Sequence, residues 1–122
     1  MDISAFNPII LTPQADPAIE LFEALGFERR HQKDRAEEQG FTSNSLKDAN
    51  GFGVDVALVP QMPQTMVAIR MSVDDFDEAY ELLTGRGFKN AGGEVTDTGT
   101  SKAALMMSPT GFAISLSQHI KE

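Results

Sequence analysis

Two side chains stand out as able to do chemistry, each set in an apolar stretch. Asp55 lies between Val54 and Val56, and a carboxylate there could act as a general base or meet a cationic group. Arg70 lies between Ile69 and Met71, and its planar fork of donors suits a carboxylate or phosphate. A plainer reading is that the two pair and neutralise each other. The hydroxyls of Thr12, Ser72 and Ser115 could hydrogen-bond a ligand, or could simply be polar residues on a wet sheet face. His31 and His119 read as strand-end histidines. There is no cysteine, which removes disulfides, thiolate nucleophiles and Cys-ligated metal sites. No nucleophile-elbow, phosphate-loop or paired-histidine zinc motif is present.

Charge narrows the partners. Eighteen acidic residues against ten basic ones give a net charge of −8, so a nucleic-acid backbone is repelled. The densest basic stretch, residues 29–35, is short, precedes Glu37-Glu38 and reads as a solvated strand end. No apolar run approaches the ~20 residues that a membrane helix needs. Met1-Asp2-Ile3-Ser4 lacks the basic start of a secretory signal, so a cytoplasmic location is expected. The 122 residues fit one domain.

The elements that must position Asp55 and Arg70 come in duplicate. Asp16-Pro17 and Gly26 bracket a helix near 17–25 with an apolar stripe at Ala18, Leu21, Phe22 and Leu25. Asp74-Asp75 and Gly87 bracket a second, with a stripe of Ala79, Leu82 and Leu83. Ala18 and Ala79, Leu21 and Leu82, Gly26 and Gly87 are each 61 apart, while Gly51-Phe52 and Gly111-Phe112 are 60 apart. An apolar strand precedes each helix. Strand-like pieces follow at 27–32, 41–47 and 52–59, then at 88–96, 102–108 and 112–118. The repeats are about 5–59 and 66–119, joined by the proline-containing linker 60–65 within one domain, 1–122. Strand alternation gives one face to Val67, Ile69, Met71 and Val73 and the other to Ala68, Arg70 and Ser72. The same argument sets Ser115 apart from Ile114 and Leu116, and Asp55 and Ala57 apart from Val54 and Val56. Pro8, Ile10 and Thr12 are the matching set in the first strand.

This doubled strand-helix-three-strand pattern, with Ala18-Ile19-Glu20-Leu21-Phe22-Glu23-Ala24-Leu25-Gly26-Phe27 in the first half and Val73-Asp74-Asp75-Phe76-Asp77 in the second, resembles the vicinal oxygen chelate superfamily. That superfamily includes glyoxalase I, bleomycin-resistance proteins and extradiol dioxygenases. The resemblance implies an α+β fold of two repeated β-α-β-β-β units forming a cup-shaped mixed sheet, with a helix on the outer face of each unit. It also implies a homodimer and a small organic ligand in the cup. Metal-using relatives hold a divalent ion at positions that here correspond to Pro8, Asp55, Ala68 and Ser115, of which only Asp55 is a strong ligand. The expectation is therefore a binding or sequestering protein with no metal and no other cofactor. Its candidate ligand contacts are Arg70, Asp55, Ser72, Ser115 and Thr12. The alternative is a diverged glyoxalase-like lyase or a metal-free isomerase using Asp55.

Overall fold

The computed structural model describes residues 1–35 and 41–119. The order is β1 (Ile3–Thr12), α1 (Ala15–Ala24), β2 (Glu28–Arg35), β3 (Phe41–Lys47), β4 (Gly53–Leu58), β5 (Met66–Val73), α2 (Phe76–Gly85), β6 (Lys89–Asn90), β7 (Thr96–Asp97), β8 (Ser101–Met107) and β9 (Ala113–His119). The chain is α+β, and it divides into a unit of residues 7–67 and a unit formed by residues 1–6 with residues from 68 onward. Helices α1 and α2 are offset by 61 residues, β3 and β8 by 60, as the repeated sequence requires. No helix among the described residues is long and apolar enough to cross a membrane.

In the unit of residues 7–67 the strand order is β2-β3-β4-β1, with β1 parallel to β4 and the other pairs antiparallel. One sheet face carries α1, and the core consists of Ala15, Ile19, Leu46, Val54 and Val56, with Ile10, Ala18 and Phe22 against it. The buried stripe of α1 is thus Ala15, Ala18, Ile19 and Phe22, whereas Leu21 and Leu25 are 56% and 64% exposed. Sequence periodicity chose the wrong edge of a wide apolar arc, because Ala18 and Phe22 belong to either stripe and only packing on the strands decides. The helix also starts earlier than Asp16-Pro17 suggests. Gln14 is its N-cap, and Pro17 occupies the first turn, where its missing N–H costs nothing. Gly26, at φ +106°, reverses the chain after the helix.

In the other unit the order is β5-β9-β8-β6, with β5 parallel to β9, while β7 also pairs with β8. Phe76, Ala79 and Leu83 of α2 pack on Met71, Val73, Ala104, Met106, Ile114 and Leu116. Leu82, expected in the stripe, is half exposed. Asp75 caps α2 by accepting from Glu78 N at 3.1 Å, and Gln118 Oε1 accepts from Phe76 N at 2.7 Å. The chain start is held here: Ser4 Oγ donates to the Ser72 carbonyl at 3.3 Å and the Met1 ammonium pairs with Glu78 at 3.3 Å. Hydrogen bonding to Glu78 raises the pKa of that ammonium. The strand expected at 88–96 is instead two short pieces, β6 and β7, separated by a turn through Gly92-Gly93. Adjacent glycines lack the side chains that stabilise a strand, and the Asn90 side chain accepts from Gly92 N at 3.0 Å to bend the chain.

Asn44 offers a test of the first core. It is 4% exposed; its Nδ2 donates to the Val56 carbonyl at 3.3 Å, while Oδ1 has no partner among the described residues. Asn44→Asp sets a carboxylate against that carbonyl and is expected to lower stability at neutral pH by about 2 kcal/mol or more in urea unfolding.

Candidate functional site

The polar row of the second unit follows from strand phase. Met71 and Val73 enter the α2 core, with Ile69 packed against it, so Ala68, Arg70 and Ser72 occupy the opposite face of β5. Arg70 stands in register with Ser115 of β9, and Ser72 with Ser117. The Ser72 and Ser117 hydroxyls are 3.0 Å apart and hydrogen-bonded. Across β9, Ala113, Ser115 and Ser117 pair with Met107, Leu105 and Ala103 of β8. A short line of arginine and serine side chains therefore crosses a face otherwise made of alanine, leucine and methionine. Of the expected contacts, Arg70, Ser72 and Ser115 are brought together here.

In the unit of residues 7–67, Val54 and Val56 enter the α1 core and leave Asp55 and Ala57 on the other face of β4. Asp55 is 5% exposed, is in register with Ile9 of β1 and Ser45 of β3, and accepts from Asn7 Nδ2 at 3.2 Å. This corrects the reading of β1. Asn7, Ile9 and Leu11 share the Asp55 face, whereas Pro8, Ile10 and Thr12 belong to the α1 side. Thr12 is not beside Asp55. Its buried Oγ1 accepts from Gln14 N at 3.1 Å and lies 2.9 Å from Thr65 Oγ1, fastening the turn into α1 and the linker. A one-residue slip moves every side chain of a strand to the other face, and the run Ile9-Ile10-Leu11 is apolar in both phases, so alternation gave no warning.

Asn7 was therefore missed, although the duplication held the signal. Ile9 pairs with Asp55 as Arg70 pairs with Ser115, so the strand offset is 61, not 60, and Asn7 rather than Pro8 corresponds to Ala68. His31 pairs with Ser45 along the β2–β3 ladder, and His119 is exposed at the end of β9 opposite Ser101. Among the described residues, no three or more His, Cys, Asp or Glu side chains gather where they could hold a metal ion.

No protein-family model and no curated protein sequence matches the chain, but solved structures do. Methylmalonyl-CoA epimerase from Mycobacterium tuberculosis is 15% identical with a TM-score of 0.68, covering 98% of this chain and 90% of that one. A glyoxalase/bleomycin resistance protein/dioxygenase superfamily member from Vibrio splendidus is 17% identical with a TM-score of 0.60, covering 96% and 99%. A methylmalonyl-CoA epimerase from Streptomyces coelicolor, in complex with 2-nitronate-propionyl-CoA, is 18% identical with a TM-score of 0.63, covering 98% and 100%. At such identities the likeness is one of fold, and the fold of this chain is that of the vicinal oxygen chelate proteins.

The two hydroxyls should respond differently to removal. Thr12→Val breaks a buried turn and is expected to cost about 1–2 kcal/mol in chemical denaturation, whereas Ser115→Ala, on the half-buried polar row, should cost less than about 0.5 kcal/mol.

Proposed function

We propose that this protein binds or sequesters a small organic molecule and does so without the divalent ion used by metal-dependent proteins of its fold. The observation that carries the reading is the Arg70–Ser115 and Ser72–Ser117 row on a face of Ala68, Ala103, Leu105, Met107 and Ala113. Apolar walls with a few fixed polar groups are what small-molecule recognition needs. The residues at the family's metal positions do not fit an ion: Asn7 offers an amide that already donates to Asp55, Ala68 a methyl and Ser115 a neutral hydroxyl. A stably held divalent ion usually takes about three or four histidine, carboxylate or thiolate ligands.

The ligand has an apolar body and an anionic or strongly hydrogen-bonding group held by Arg70 with help from Ser115. With a net charge of −8 the whole protein cannot attract an anion from afar, so any preference is local, within a Debye length of about 8–10 Å. The protein acts as a homodimer, which light scattering checks. A second reading is a metal-free isomerase with Asp55 as base. It is favoured by the buried position of that carboxylate and by the epimerases among the similar structures.

A thermal-shift screen across metabolites and antibiotics tests the main reading. Ligand at about 100 times its Kd should add ~2.7 kcal/mol of stability. Arg70→Ala should abolish the response to anionic hits; equal binding by that variant, or a set of exclusively cationic hits, makes Arg70 structural. Elemental analysis after dialysis should find no stoichiometric divalent metal, and a near-equimolar content lost in Asp55→Ala would overturn the metal-free reading. Metal-independent isomerisation of a hit, lost in Asp55→Asn with binding retained, would move the assignment to the second reading.

A further inference from the structure

We infer that Asn50-Gly51, in the turn between β3 and β4, is a site of spontaneous covalent modification at which the chain converts Asn50 to isoaspartate or aspartate. The chemistry needs only water. The Gly51 backbone nitrogen loses its proton to solvent base and attacks Asn50 Cγ. A C–N bond forms, the bond from Cγ to the amide nitrogen breaks, and ammonia leaves with a proton taken from solvent. The resulting succinimide then adds water at either carbonyl. Opening at Cγ gives aspartate; opening at the original backbone carbonyl gives isoaspartate, with the main chain rerouted through the side chain.

Selectivity comes from the surroundings of the four asparagines in the sequence. Asn7 precedes Pro8, whose nitrogen carries no proton to lose. Asn44 is buried in β3 with its Nδ2 on the Val56 carbonyl. Asn90 has its Oδ1 engaged by Gly92 N, and the nitrogen that would attack it, Ala91 N, donates to the Leu105 carbonyl at 2.8 Å. Asn50 and Gly51 are both exposed, and a Cβ placed on Gly51 would meet nothing within 4 Å, so the turn stands open to solvent on that side. Gly51 sits at φ +88°, a conformation natural to glycine. The bond from Gly51 N to the Asp48 carbonyl, 3.1 Å long, has to open for the attack, in a solvent-exposed turn that the Asp48 carboxylate also holds.

The product would act on the strand that carries Asp55. Asp48 Oδ1 organises the turn by accepting from Asn50 N at 3.0 Å and Phe52 N at 2.9 Å. A new carboxylate at position 50 stands near that of Asp48, and isoaspartate lengthens the main chain just before Gly53 pairs with Lys47, two ladder positions from Asp55. The corresponding turn of the second repeat is Pro109-Thr110-Gly111, where Ser108 Oγ takes the place of the Asp48 carboxylate and no asparagine is present. Only the Asp55 half of the molecule would age by this route.

The test incubates the folded protein at 37 °C in mildly alkaline buffer beside Asn50→Ser and Asn50→Gln variants, with the same protein in urea as the unprotected reference. The expected result is release of one equivalent of ammonia per chain, an acidic shift of one charge on isoelectric focusing and isoaspartate in the peptide spanning residue 50, faster at higher pH. Both variants should lack the change; either one that folds suffices for the comparison. The inference is overturned if the folded protein stays unmodified while the urea sample reacts, or if the modification maps to Asn44 or Asn90.

Discussion

In each repeat the first strand lies parallel to the last, and the register of that pair determines which side chains share a face. Ile9 opposite Asp55 and Arg70 opposite Ser115 are the same pairing made twice. A parallel pair needs a long crossover, and α1 or α2 lies within each one, covering one face of its sheet with the stripe Ala15, Ile19 and Phe22 or Phe76, Ala79 and Leu83. Once that face is committed to the helix, the period of two leaves Asp55 and Arg70 no choice of side.

The two halves share this frame and differ in what they place on it. Where the first repeat has Asn7 donating to buried Asp55, the second has Ala68 and Ser115. Their helix starts differ as well. The second repeat uses Asp75 and Gln118 to satisfy α2, while the first relies on Thr12 to hold Gln14 at the head of α1. Duplication explains the shared backbone pairing, and divergence of individual side chains explains why one half offers a carboxylate and the other a cation.

Similarity to epimerases and to glyoxalase-like proteins establishes a backbone arrangement that serves several chemistries, so function is decided by the side chains placed on it. A guanidinium in register with a serine, on an apolar face, is what the proposed recognition of a small amphiphilic molecule rests on. A buried carboxylate beside an asparagine keeps proton transfer open as a second possibility.

The sequence by itself was enough for the duplication, the two helices with their exit glycines and the phase of β5, because Ile69, Met71 and Val73 alternate with Arg70 and Ser72, but not for the break of 88–96 into β6 and β7. Tertiary structure decided the rest. Ile9-Ile10-Leu11 is apolar in both strand phases, so only pairing with β4 could move Thr12 away from Asp55 and bring Asn7 beside it. The apolar arc of α1 holds more residues than the sheet buries, so only packing could bury Ile19 and expose Leu21 and Leu25. Local pattern fixes structure where one phase alone buries apolar surface; where two phases bury equally well, the neighbouring strand chooses.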